Sequence, residues 1–323
     1  MEVRNEAPVF ADVVAAREFI SAYLPKTPLV RSHKISTALG CDYYLKLENL
    51  QQTGAFKVRG GVNLVGQAAR KGDTRPIVTA STGNHGQSIG YAGRLFNTRV
   101  IIYAPAENVN PAKLQAMRDL GAEVRLHGRD FDEARFETER VAAAEGFRYV
   151  HSANEAALIA GVGTIGLEIF EDLAEVDVII APAGGGSCAS GNCLVARELN
   201  PNVKVIAVQS AGAPAMWHAW RNRNLDPYPT MRTEHEGLAT RFPFEMPSKI
   251  LWELLADFVL ATDEEINDAI RILARDAKQL VEGAGAASLA GAFKLRDQLQ
   301  GKTVVGVVTG GNLPLERFAR LLA

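Results

Sequence analysis

Short runs rich in β-branched residues recur along the chain, separated by helix-length amphipathic stretches. The runs are "PIVTAS" (76–81), "RVIIYAP" (99–105), "AEVRLHG" (122–128), "VDVIIAP" (176–182), "VKVIAVQS" (203–210) and "TVVGVVT" (303–309). Residues 86–97, 111–120, 130–145, 188–199 and 263–280 read as helices among them. Strands that are apolar on both faces belong in a parallel sheet covered by helices on each side, so the pattern predicts a doubly wound α/β fold. The chain has no internal repeat, no low-complexity segment and no linker rich in Pro, Gly or Ser. A division into domains must then be made by chain crossings within one body. We expect a large cofactor-binding domain from residues 1–74 and 150–323, and a small substrate-side domain from 75–149.

Composition works mainly by exclusion. At 323 residues and 47% hydrophobic, the chain can bury the core of two packed domains or one large one. A net charge of -2, from 35 basic and 37 acidic side chains, leaves no electrostatic footprint for nucleic acid or an anionic membrane. The expected partner is a small molecule or a second copy of the chain. Cys41, Cys188 and Cys193 cannot form a disulfide framework and include no CxxC pair. The start, "MEVRNEAPVF", has neither a basic nor an apolar leader region, and no apolar run approaches the ~18 residues of a spanning helix. A reducing cytoplasm is the expected compartment.

Candidate chemistry lies at the strand ends, where open α/β sheets bind ligands. After one run, "APAGGGSCASG" (181–191) offers Gly184, Gly185, Gly186 and Ser187 ahead of a helix beginning near Cys188. Backbone N–H groups there could cradle a phosphate. A dinucleotide loop and a plain tight turn remain alternatives, although Gln209 and Ser210 stand where a dinucleotide site needs an acid. A second corner, "TASTGNHGQSIGYA" (79–92), places Ser81, Thr82, Gly83 and Asn84 at a helix start, as a carboxylate cradle or an Asx-type turn. His85 beside it is a base or a structural histidine. The third, "VVTGGNLPL" (307–315), ends a strand at Thr309 and is either an ordinary turn or a site hydroxyl.

Lys57 sits in "GAFKVRGG" (54–61), a short apolar turn bounded by Gly54, Gly60 and Gly61. Alone it reads as a solvated lysine. Joined to a phosphate cradle, a carboxylate cradle and a hydroxyl at a third strand end, it completes the parts that pyridoxal phosphate chemistry on an amino acid requires. The motifs "KLENLQQTGAFKVRG", "STGNHGQ", "AGGGS", "EGAGAASLAG" and "TGGN" follow one another from "TPLVRSHKIS" (27–36) to residue 312. In them the chain resembles the fold type II pyridoxal-phosphate enzymes, of tryptophan synthase β-like architecture, and within these the serine/threonine dehydratase and serine racemase group.

The resemblance implies two doubly wound domains with mostly parallel sheets and a Schiff base between Lys57 and the cofactor's aldehyde. It places Phe56 against the pyridine ring, Asn84 on its 3′-oxygen, Gly184 to Ser187 on the phosphate and Thr309 on the ring nitrogen. Ser81, Thr82, Gly83 and His85 would enclose the substrate carboxylate. The implied reaction is loss of water from L-threonine or L-serine, giving ammonia and a 2-oxo acid, with Lys57 as the catalytic base. Alternatives are racemisation, or dehydration of hydroxyaspartate or phenylserine. Further alternatives are a β-replacing synthase, an oxidoreductase and a noncatalytic binder. The implied assembly is a homodimer.

Departures from the group narrow this. Racemisation calls for a serine where Thr82 stands, which puts dehydration first. Relatives hold a divalent cation with acids where this chain has Gln209 and Ala215, so no metal is expected. Ser187 replaces a fourth glycine and adds a donor. Glu282 lies near the ring or caps a helix. Arg241, in "EGLATRFPFEMP" (236–247), selects an acidic side chain or is solvated. "MWHAW" (216–220) reads as packing or a subunit contact. Cys188 is a helix-start thiolate or an inert packed thiol. The chain ends soon after "TGGN", so no isoleucine-sensing domain is expected.

Overall fold

The six β-branched runs all become strands, and five of them are buried along most of their length. The computed structural model describes residues 6–107 and 110–322, so the first five residues of the stretch read as leaderless lie outside the described residues. It contains ten strands: β1 (Leu29–Arg31), β2 (Asp42–Leu47), β3 (Ile77–Ala80), β4 (Val100–Ala104), β5 (Glu123–Leu126), β6 (Arg148–Tyr149), β7 (Val178–Pro182), β8 (Lys204–Ser210), β9 (Asp257–Ala261) and β10 (Thr303–Val308). A six-stranded sheet has the order β1-β2-β10-β7-β8-β9, and a four-stranded sheet the order β5-β4-β3-β6. Every pairing is parallel except that of β1 with β2. β5 is partly exposed because it is an edge.

Both sheets reverse their winding at one place, and that decides where a ligand can sit. From β7 the chain steps outward through β8 to β9, whereas β10 returns to the other side of β7. From β3 it steps through β4 to β5, whereas β6 returns beside β3. A crevice opens outside the carboxyl ends of the strands at each such switch point. The corners after β7 and β10 border one crevice, and those after β3 and β6 the other.

Lys57 is the first residue of the helix Lys57–Arg70 rather than part of a turn. The backbone before it is stitched to the end of β10: Phe56 N donates to Thr309 O at 2.9 Å, and Gly311 N to Gly54 O at 2.9 Å. Gly60 and Gly61 serve close packing instead of turn formation. A Cβ on Gly60 would stand 2.9 Å from the Leu158 carbonyl oxygen, and one on Gly61 2.7 Å from that of Ser88. The helices Ala156–Asp172 and Asn84–Leu95 therefore lie directly against this one. Its outer face joins Phe19 and Ile20 in the core under the four-stranded sheet, through Val58, Val62 and Val65.

Two residues beyond Lys57, Arg59 anchors a buried charge quartet. Its guanidinium donates to Glu48 (2.7 and 2.8 Å) and to Glu168 (2.8 and 2.7 Å), and Lys46 Nζ donates to Glu168 Oε2 at 2.7 Å. All four side chains are at most 1% exposed. Burial would raise the Glu168 carboxyl, but hydrogen bonds and charge from Arg59, with Lys46 beside it, hold it at about 2. The predicted helix over 263–280 is shorter, Asp263–Ile272, and passes into a wide turn that Lys278 ends at φ 59. Among the described residues no helix is long and apolar enough to cross a membrane.

Candidate active site

Lys57 lines a cleft of about 510 Å³ where the two crevices meet. Its Nζ donates to the backbone oxygen of Ser152, after β6, at 3.2 Å and to Ser187 Oγ, after β7, at 3.3 Å. Burial pushes its pKa down from 10.5 to about 8. At pH 7 about a tenth of it is then a neutral amine, against well under a thousandth for a free lysine.

After β7, the helix Ser187–Leu199 begins one residue earlier than expected, with Gly186 in the left-handed region at φ 86. Glycine is required at this corner on a second ground. A Cβ on Gly184 would collide with the Gly237 carbonyl oxygen, and one on Gly185 would lie 2.8 Å from the Phe244 ring. The loop 236–244 thus lies directly on the turn, leaving the N–H end of a 13-residue helix turned to the cleft.

After β3, Ser81 Oγ accepts from Gly83 N at 3.1 Å and Gly86 N at 2.8 Å, which shapes the entry to the helix Asn84–Leu95. Ser81, Thr82, Gly83 and His85 all line the cleft. Thr79 Oγ1 donates its single hydrogen to Val150 O at 2.7 Å, so His85 Nε2, 2.9 Å from that oxygen, is the donor between them. His85 Nδ1 consequently carries a lone pair, buried and with no partner among the described residues. Burial, with the nearby charge of Lys57 and His151, drives the His85 pKa well down, which makes it a neutral acceptor and not an acid.

Thr309, just past β10, is 2% exposed, and its Oγ1 has no partner among the described residues. Phe56 flanks Lys57, whose Nζ stands 5.3 Å from the ring centre. Asn312 Nδ2 donates to Asn84 Oδ1 at 2.8 Å, and Asn84 Nδ2 donates to Glu282 Oε1, leaving Asn84 one free N–H. Glu282 both lines the cleft and stands at the N-cap of the helix Gly283–Lys294, where its side chain makes no cap hydrogen bond; burial raises its pKa. All thirteen sequence-selected site residues line one cleft: Phe56, Lys57, the 81–85 turn, the 184–187 turn, Glu282 and Thr309.

Other candidates resolve differently. Arg241 is partly exposed but paired: it donates to Asp130 Oδ2 at 2.9 Å and also to Asp132. Cys188 is fully buried, and burial raises its thiol far above the usual range, so packing is its role. Gln209 Oε1 accepts from Trp217 N at 3.0 Å. Glu234, His235 and Asp263 gather closely enough to suggest cation ligands. However, His235 Nε2 faces the Asp263 carbonyl, Arg317 faces Nδ1, and Ser210, Thr233 and the Glu234 amide occupy the Asp263 carboxylate. That cluster fastens a loop. Sequence reasoning missed Ser152, Asp130 and Asp132. The one available signal was the doubled acid in "RDFDE" beside the predicted helix start.

A family model described as "Pyridoxal-phosphate dependent enzyme" matches residues 20–310. An L-threonine ammonia-lyase of Thermotoga maritima is 36% identical over 96% of this chain and 77% of its own length. A protein of the same name from Geobacter sulfurreducens is 38% identical over 91% of this chain and 73% of its own. Among solved structures, a serine racemase from Dictyostelium discoideum superposes with a TM-score of 0.87 at 30% identity, covering 95% of this chain and 99% of the other.

Proposed function

The chain belongs to the family of pyridoxal-phosphate dependent enzymes, and on that premise we propose that it dehydrates L-threonine and L-serine to ammonia and a 2-oxo acid. The single observation carrying this is the depressed amine of Lys57, held at the meeting of the two strand-end crevices. The residues present fit the cofactor. The orphaned Thr309 hydroxyl offers the pyridine nitrogen a neutral partner, and the turn of Gly184 to Ser187 lines the cleft at the N–H end of the helix Ser187–Leu199, which suits a phosphate. Phe56 and the free N–H of Asn84 complete the set. When bound, pyridoxal phosphate supplies an electron-accepting ring for the charge left at Cα.

The protein's own groups do the rest. The Ser81–His85 turn, at a helix N-terminus, receives the substrate carboxylate through backbone N–H groups. Lys57 Nζ takes the Cα proton as a neutral amine and, once protonated, is the acid beside the departing β-hydroxyl. Ser152 O and Ser187 Oγ hold that nitrogen in place through both transfers. A cytoplasmic homodimer goes with this reading; the three free, buried cysteines suit a reducing compartment, and the mass in solution tests the pairing.

The test is release of 2-oxo acid from L-threonine and L-serine by purified, cofactor-supplied protein. Oxo acid from either supports dehydration, whereas inversion of serine without oxo acid would put the racemase reading in its place. Gly184→Ala is a second check. Its Cβ would push the 236–238 loop from the phosphate turn, so apo-protein should bind pyridoxal phosphate about tenfold more weakly in a fluorescence titration.

A further inference from the structure

Every cation lining the cleft except Lys57 is already paired. Lys113 Nζ lies 2.7 Å from Glu236, Arg129 2.6 Å from Glu133, and Arg241 2.9 Å from Asp130 while also binding Asp132. Arg135 approaches Asp132 at 4.0 Å and holds Glu139 at 2.8 Å. Of these groups Arg129, Asp130, Asp132 and Arg241 line the cleft, while Glu133 and Arg135 pair with them from outside its lining.

The place of the substrate side chain follows by elimination. The amine of the substrate would take the place that Lys57 Nζ holds on the cofactor's aldehyde, its carboxylate would go to the Ser81–His85 turn, and the cofactor phosphate to Gly184–Ser187. The side chain is left the rest of the lining, in which residues 129–132 and the loop carrying Arg241 stand together with Lys113 and Glu236. An unpaired Arg241 there would welcome a second carboxylate, as bidentate guanidinium sites do. Resting on the dehydratase reading, we propose that Asp130 and Asp132 set the substrate class: by occupying Arg241 they exclude β-hydroxy amino acids that carry a side-chain carboxylate and admit those with short uncharged side chains. Asp132 should dominate, since its side chain is 15% exposed against 44% for Asp130.

The experiment compares kcat/KM for L-threonine and 3-hydroxyaspartate in the wild type, Asp132→Asn and Asp130→Asn, alongside calorimetric binding of succinate, which cannot react. The wild type should favour threonine at least about tenfold. Asp132→Asn should shift that ratio about tenfold toward the dicarboxylate and tighten succinate binding to match. The exposed Asp130→Asn, which keeps the test open should the other variant fail to fold, should shift both about threefold. A wild type that handles 3-hydroxyaspartate as well as threonine, or variants with unchanged ratio and unchanged succinate affinity, would overturn the proposal. If no β-hydroxy amino acid reacts while the variants still gain succinate affinity, the dehydratase reading fails and the control of Arg241 stands.

Discussion

Lys57→Ala should lower 2-oxo acid release by at least about 10³-fold, because it removes the one group placed both to accept the Cα proton and to return it. The protein itself should survive the change. Burial opposes charging of this amine, which shifts its pKa from 10.5 to about 8. A group so lowered costs stability below the folded value and ceases to do so above the unfolded one, so the fold gains stability as pH rises from about 8 to 10.5. Alanine removes that cost at neutral pH and leaves a small cavity instead. We expect the apo variant to melt within a few degrees of the apo wild type at pH 7. In the apo wild type, the rate at which added pyridoxal phosphate is captured by Lys57 should climb with pH and level off above about 8, as the neutral amine fills. A variant that retains a tenth of the activity would remove Lys57 from the proton transfer, and a capture rate that stays flat between pH 6.5 and 8.5 would contradict the lowered amine.

The second large effect concerns stability. Glu168→Gln should cost ~3–5 kcal/mol, since it strips a carboxylate from a dry cluster and leaves Arg59 and Lys46 to share Glu48. Arginine cannot shed its proton there, so the excess charge stays buried. The melting temperature should fall by roughly 5–15 °C, read by calorimetry on the apo-protein. The same cluster sets an acid limit. Glu168 is held at about 2 against 4.5, so its contribution of ~3 kcal/mol is complete above pH 4.5 and disappears as pH falls through about 2. Glu168→Gln should flatten that part of the acid-stability curve. A melting temperature within 2 °C of wild type would mean that the quartet contributes little net stability to the fold.

The strand pattern was legible because fully buried parallel strands leave an unbroken apolar trace, as β4 and β7 do. β2 escaped notice although it is nearly as buried, because Lys46 interrupts it, and that lysine pairs with Glu168, 122 residues away. β6 is two residues long and has no periodicity to read. The glycines after Lys57 suggested a turn, whereas two of them are contact points between helices, a distinction that local sequence does not carry. In the site, the strand-end corners were readable because glycines and hydroxyls cluster next to apolar runs. What distance hides is pairing in space. Arg241 and Asp132 lie 109 residues apart, so nothing local revealed that this arginine was already engaged. Ser152 acts through a backbone carbonyl, which every residue possesses.

The central claim is that Lys57 Nζ binds pyridoxal phosphate covalently in this cleft. Holoenzyme should be reduced with borohydride, digested and mapped by mass spectrometry. The account predicts a phosphopyridoxyl group on the peptide carrying Lys57 and on no other. Label on Lys113 or Lys46, or an unchanged mass, would contradict it.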